Sequence, residues 1–438
     1  MNRRRVVILG AAGRDFHNFN VVYREDPSFE VVAFTATQIP DIAGRRYPPP
    51  LSGTNYPEGI PIVEEVELEN LLPREKVDEV VFSYSDVSFD HVMTVASRAL
   101  AAGADFTLLG PERTMIRVPA PAVAVCAVRT GCGKSQTTRR VCEVLTDLGR
   151  RPVVVRHPMP YGNLEGMAVQ RFSTQEDLAA AHCTVEEREE YEPHVEAGRT
   201  VFAGIDYAAI FREAGAHGDV IVWDGGNNDF PFLRPDLWIT LLDPHRPGHE
   251  SAYHPGLVNV LRADALIINK VDSAEPDSVE AVRQNAQRLN PRAMILMAAS
   301  PVVADRPDLI AGKRVLVVED GPTLTHGDMA FGAGYLAAQR YRAAEVVDPR
   351  PYAEGSLRKT FERYPHLDRV VPAMGYTPEQ VHDLQTTIRA APCDAVVSGT
   401  PVDLRRVLHP EKPVVRVHYE LQEIGRPTLR EVLAGFAP

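Results

Sequence analysis

"AVRTGCGKSQTT", residues 127–138, decides the fold. The continuous apolar run "AVAVCAV" (122–128) leads into it, and beyond it Val141, Leu145 and Leu148 fall on one helical face before Gly149 stops the helix. Strand, glycine-bearing loop and helix N-terminus in that order make an anion site, because consecutive backbone N–H groups and the positive end of the helix dipole converge on phosphate oxygens. Gly131 and Gly133 permit close backbone approach; Lys134 is placed to reach the β- and γ-phosphates, and the Ser135 hydroxyl to ligate Mg²⁺. Val128 stands where the common GxxxxGK[ST] pattern has its first glycine. The variant loop K-G-G-x-G-K-[ST] of dimeric ATPases and synthetases fits better and gives Arg129 the signature-lysine position, where a cation can touch the terminal phosphate. Thr130, Gly131, Cys132, Gly133, Lys134, Ser135 and Gln136 are the expected nucleotide-binding residues, with Lys134 and Arg129 catalytic.

Two downstream stretches support a nucleotide site. "DVIVWDGGNND" (219–229) is an apolar strand ending in Asp224, the form of a carboxylate that holds the Mg²⁺ shell with Ser135. "NKVD" (269–272) follows another buried strand and resembles the base-recognition motif of GTPases: Asp272 can accept two N–H bonds from a guanine edge, Asn269 can bond the other edge, and the Lys270 stem can lie along the ring. The motif leans toward GTP without excluding ATP.

Outward from this centre the chain alternates strands and helices. "RRVVILG", "SFEVVAFT", "VDEVVFSYSD" and "DFTLLGP" read as parallel strands of a Rossmann-like domain over residues 1–118, with Val92, Val95, Ala96 and Ala99 forming the buried face of an intervening helix. The Pro-rich 45–62 reads as a surface loop. The P-loop NTPase sheet occupies 119–311, and a smaller α/β domain 312–438. "GAAG" (10–13) lacks the full G-x-G-x-x-G of dinucleotide binding, and the second strand ends in Thr37 and Gln38 where a ribose-binding acid is expected.

A 438-residue chain with 44% hydrophobic residues can fill several α/β cores, and its formal charge of -12 with scattered Lys and Arg makes nucleic acid and anionic membrane poor partners. No run of eighteen apolar residues and no signal-peptide pattern appear, and the five cysteines lack zinc or disulfide spacing, so a reducing cytoplasm is expected. Only six lysines stand against forty-one arginines, yet Lys134 and Lys270 both lie inside nucleotide-type motifs. Several strand ends carry Arg and His instead of turn residues: Arg14, His17 and Asn18; Arg156 and His157; His245, Arg246 and His249. Clustered near a nucleotide, these side chains suit a small phosphorylated anion as substrate. His254 reads more simply as a hydrogen-bonded structural residue.

"ILGAAGRDFHNFN", "RRYPPPLSG", "YPEGIPI", "VRTGCGKSQT", "RHPMPYGNL" and "VVEDGPTLTHGDM" together resemble the cyclic 2,3-diphosphoglycerate synthetases and their bacterial relatives over nearly the whole chain. The resemblance implies an ATP- and Mg²⁺-dependent cytoplasmic homodimer that closes 2,3-diphosphoglycerate into a cyclic pyrophosphate, releasing ADP and phosphate. Two other classes share the P-loop: a GTPase switch or metallochaperone, and an ATP-dependent carboxylate ligase.

Overall fold

In the computed structural model, which describes all residues except 1, 2, 38–41, 158–163, 326, 328, 376 and 409, the strand Ala122–Ala127 is buried along its whole length. A parallel strand covered on both faces needs that continuous apolar run. It lies inside a nine-stranded sheet, paired in parallel with Val220–Asp224 on one side and Leu237–Leu242 on the other. Pro152–Arg156 and Val201–Ala203 extend the first side; Ala265–Ile268 and Met294–Ala299 extend the second. The helix Lys134–Asp147 buries Val141, Val144 and Leu145 in the core of this sheet.

The first domain is a six-stranded sheet whose parallel strands are Arg4–Leu9, Phe29–Ala36, Ile60–Glu64, Glu79–Phe82 and Asp105–Leu108. In the helix Phe89–Ala101 the buried residues are Val92, Val95, Ala96 and Ala99, as the spacing predicts. The Pro-rich stretch differs from the surface loop expected of it. Arg46–Tyr47 pairs as an edge strand with Ile60–Glu64, Pro49 opens a one-turn helix at a position where its missing N–H is harmless, and Tyr47 and Tyr56 pack on Phe16 and Phe19. Aromatic burial outweighs the prolines because they sit at the sheet edge and helix start.

The third sheet is built on Arg314–Asp320, paired in parallel with Ala395–Ser398, Val371–Ala373 and Glu345–Val346. The boundary at 311 needs correcting in two places. Val302–Ala304 already belongs to the third sheet, antiparallel to Val414–Tyr419. The chain then returns: Gln422–Ile424 pairs with Met294–Ala299, and Leu429 and Leu433 enter the core of the central sheet. First and central domains are joined by the antiparallel pair Val87–Ser88 and Tyr253–His254. Among the described residues, no helix is long and apolar enough to cross a membrane. Of the stretches that carry the resemblance, residues 158–163, 326 and 328 lie outside the described residues.

Candidate functional site

Val128 follows directly on the strand Ala122–Ala127 and still bonds the neighbouring strand, its N–H donating to Leu241 O at 3.0 Å, so the loop begins beyond the sheet at Val128–Arg129. Gly131 and Gly133 take φ of +83° and +99°, the left-handed region that side chains avoid, and Gly133 directly precedes the helix. A Cβ on Gly133 would run into the amides of Asn269 and Gln136. The "NKVD" residues turn toward this loop. Asn269 Nδ2 donates to Cys132 O at 2.9 Å, and Lys270 Nζ donates to Gly131 O at 2.5 Å while pairing with Asp243 at 3.0 Å. Asp272 accepts from Ser300 N at 2.8 Å. Lys270 lines the cavity described below, whereas Asn269 and Asp272 do not.

A cavity of about 240 Å³ lies where the three sheets meet, reached by the P-loop, the 12–15 and 83–85 segments of the first domain, and the 319–323 and 329–333 segments of the third. Lys134 lines it, and its side chain makes no hydrogen bond or ion pair among the described residues. Ser135 Oγ donates to Glu190 Oε2 at 3.3 Å. Asp224, fully buried at the end of its strand, is ion-paired with Arg156 through Oδ2, and its Oδ1 has no hydrogen-bond partner. Burial opposes its charge, but the Arg156 guanidinium, with His194 and Lys134, holds the carboxyl below the ordinary range. Ser135 and Glu190 line the cavity, whereas Asp224 lies behind Arg156, which pairs with both carboxylates. Sequence reasoning missed Glu190, which lies in a run of acids that reads as a solvated helix face.

Arg129 corrects an expectation. It is 1% exposed, its Nε donates to Asp86 Oδ1 at 2.5 Å, its Nη1 donates to His249 Nδ1 at 3.0 Å, and its guanidinium lies 3.6 Å from the Tyr253 ring centroid. Asp86 also accepts from Thr130 N at 3.0 Å. Arg129 therefore fastens the P-loop to the first domain and does not line the cavity.

The expected anion cluster is corrected in the same way, since its cations are already neutralised. Arg14 pairs with Asp229 at 2.9 Å between the rings of Phe230 and Phe232, and His157 meets the other oxygen of Asp229 at 3.1 Å. Arg156 bridges Glu190 and Asp224. Arg246 bonds Asp243 and the carbonyls of Thr130 and Gly327. His245 shares a 2.9 Å hydrogen bond with Ser273. His17 lies outside the cavity: it bonds Thr114 O at 2.6 Å and stacks on Phe232 at 4.0 Å, and burial, with help from Arg14, lowers its pKa to about 3. Asn18 donates to Ser83 Oγ at 2.9 Å. Arg14, Arg156, His157 and His245 do line the cavity, but as members of these pairs.

The opposite wall is acidic, and the sequence reading assigned none of its residues a role, although Glu319 and Asp320 lie in the quoted "VVEDGPTLTHGDM". Glu186 and Glu189 project from the helix Val185–Glu196, and Glu319 and Asp320 end the strand Arg314–Asp320. Glu319 is used structurally, accepting from the N–H groups of Gly332, Gly334 and Tyr335. Glu186 accepts from Gly375 N at 3.0 Å and Glu189 from the Thr400 hydroxyl, leaving one oxygen of each buried and without a hydrogen-bond partner. Burial raises the Glu186 pKa to about 8, and burial beside Asp320 raises that of Glu189 well above the carboxylate range.

No protein-family model matches the chain. LpxK from Aquifex aeolicus, solved with ATP, shows 14% identity over 85% of this chain and 100% of that one, with a TM-score of 0.40. The hydrogenase maturation factor HypB from Archaeoglobus fulgidus shows 16% identity over 41% of this chain and 79% of that one, with a TM-score of 0.22. A far stronger likeness is to arginine synthetase ArcE of Thermococcus kodakarensis, 60% identical over 435 residues that span 99% of this chain and 97% of that protein. A match of that identity from end to end means that the chain belongs to the family of arginine synthetase ArcE.

Proposed function

We propose that this protein is an ATP-dependent synthetase whose product is arginine. One observation carries the reading: Lys134, at the start of the P-loop helix, is the one cavity-lining Lys or Arg left without a partner among the described residues, whereas Arg14, Arg156 and Lys270 each face a carboxylate. That arrangement supports one nucleotide terminus at Lys134. It gives little support to the cyclic 2,3-diphosphoglycerate reaction, where two further substrate phosphates would need unpaired cations. The relative's product supplies the rest.

The chemistry follows from the product. Arginine's guanidinium carbon carries three nitrogens, and a phosphoryl-driven route makes the last C–N bond by activating an oxygen on that carbon. The acceptor is then the ureido counterpart, citrulline, and the nitrogen is ammonia. The ureido oxygen attacks the γ-phosphoryl group and ADP leaves; ammonia adds to the activated carbon, the C–O bond breaks, and phosphate departs. Lys134 and the loop N–H groups stabilise the transferring phosphoryl, whose transfer needs positioning and charge neutralisation more than proton chemistry. Ser135 and Glu190 would hold Mg²⁺, which neutralises phosphate oxygens when bound. The test is arginine formation from citrulline, ammonium and ATP, with GTP and 2,3-diphosphoglycerate as alternative arms. Lys134→Ala should reduce turnover by about 100-fold or more while leaving the thermal midpoint unchanged. Cyclic pyrophosphate in place of arginine would overturn the reading.

A further inference from the structure

The acidic wall has no role in holding a nucleotide, and its carboxylates are costly where they stand. Glu186 is 2% exposed and Glu189 4%, and each leaves one oxygen facing no donor. Glu189, on a helix of the central domain, lies against the carboxyl of Asp320 at the end of a strand of the third sheet, so two acids from different domains share a dry place where ionising both is opposed. Carrying charge there is costly for each of them, and a cation that arrives to share the set removes that cost. No described Lys, Arg or His supplies one: Glu186 and Glu189 have no ion pair among the described residues.

The surroundings select the kind of cation. Phe331 offers an aromatic ring to the same cavity, its ring 6.3 Å from that of His245, and Met329, Leu336 and Val302 line it with apolar surface. A planar delocalised cation matches both features, since it stacks on a ring and donates from several N–H groups in one plane. An apolar stem behind it suits the Met and Leu surface.

We infer that Glu186, Glu189 and Asp320 form a guanidinium subsite, with Phe331 as its aromatic side and the methylene stem of the ligand against Met329 and Leu336. The inference rests on the arginine reading above, and goes beyond it by assigning the residues that recognise the product. One helix joins the two poles of the cavity: the successive residues Glu189 and Glu190, about 100° apart, bond Thr400 of the third domain and Ser135 of the P-loop respectively, and Glu186, one turn before Glu190, accepts from Gly375 N. The subsite also has a place in the reaction. Citrulline's ureido group is neutral and arginine's guanidinium is cationic, so fixed carboxylates interact with charge that appears only as the C–N bond forms.

Equilibrium binding to the intact protein in the presence of ADP tests this, with arginine and its neutral counterpart citrulline as ligands. Glu189→Gln and Glu186→Gln keep shape and keep the oxygen that accepts from Thr400 or Gly375. Each should weaken arginine by about tenfold or more, a charged hydrogen bond being lost, while changing citrulline by less than about threefold and ADP not at all. Equal arginine affinity in wild type and both variants, with ADP binding intact, overturns the subsite. So does a wild type that binds arginine no more tightly than citrulline. If the wild type makes arginine yet the variants bind it normally, the subsite fails and the function stands. If the variants lose arginine binding but the wild type makes no arginine, the subsite stands and the function fails.

Discussion

Arg129 offers the sharpest test of the architecture, because two roles for it predict opposite results. As a signature residue on the terminal phosphate it would be a surface cation whose removal stops turnover and leaves stability alone. In the structure it is buried, paired with Asp86 of the first domain, hydrogen-bonded to His249 and set against Tyr253. Removing one member of a buried pair strands the other charge and costs about 3–5 kcal/mol. At 2–4 °C per kcal/mol for a domain of 150–250 residues, Arg129→Ala should lower the thermal midpoint by roughly 6–20 °C. Asp86→Ala should do much the same. The double variant should be less destabilised than the sum of the singles, by about 0.5–3 kcal/mol, since neither partner is then left unpaired. Turnover should fall as well, because Asp86 also holds Thr130 N of the loop and a displacement near 1 Å can cost about 100-fold. Scanning calorimetry of the three variants decides the matter. An Arg129→Ala protein that melts within about 2 °C of wild type but has lost turnover would refute the clamp and restore the phosphate contact.

Two further results are expected. Gly133→Ala should abolish ADP binding in equilibrium titration, because the position needs φ of +99° and a methyl there meets Asn269 and Gln136; retained affinity would show that the loop has another conformation. His17 has a folded pKa of about 3, against an ordinary value near 6.5, so between those values the unfolded chain binds the extra proton. Its contribution to stability is therefore complete above pH ~6.5 and is lost as pH falls toward 3. Between pH 7 and pH 5, wild type should lose more unfolding free energy than His17→Gln in denaturant titrations, and parallel losses would contradict a neutral buried His17.

The P-loop was legible because its parts are local: strand, glycines, lysine and helix follow within about twenty residues, and only one arrangement satisfies them. The helix at 89–101 was legible for the same reason. What sequence could not reveal is who neutralises whom. Arg14 looks like a free cation at a helix start until Asp229, 215 positions away, is placed 2.9 Å from it. Arg129 looks like a phosphate ligand until Asp86 is brought to it across a domain boundary. The acidic wall was hidden for the complementary reason. "VEEREEYEPH" is what an exposed helix looks like, and its burial comes from the third sheet, whose own acids at 319 and 320 follow four apolar residues. Two adjacent acids ending so apolar a strand were the one signal that could have been weighed.

The lysine count acquires a physical meaning from this pairing. In a chain that supplies positive charge almost wholly as arginine, the two lysines of the nucleotide motifs stand where an ammonium differs from a guanidinium. Lys270 sends a compact charge beneath the loop to Gly131 O and Asp243, beside Arg246, whose Nη2 already donates to Asp243 and Thr130 O and whose Nη1 donates to Gly327 O. Both cations bond the same Asp243 oxygen, which a compact ammonium shares with a guanidinium more readily than a second planar group does. Lys134 faces the cavity, where a flexible stem ending in a point charge can follow a phosphoryl group as it moves. The arginines meanwhile are spent on fixed bidentate or stacked contacts: Arg14 between two phenylalanine rings, Arg129 on Tyr253, Arg156 between Glu190 and Asp224. The result is a cavity with a flexible ammonium at the P-loop and a wall of buried acids opposite it, whose ionisation a bound cation would favour. That polarity suits a reaction in which phosphate leaves from one side of a carbon while positive charge grows on the carbon itself.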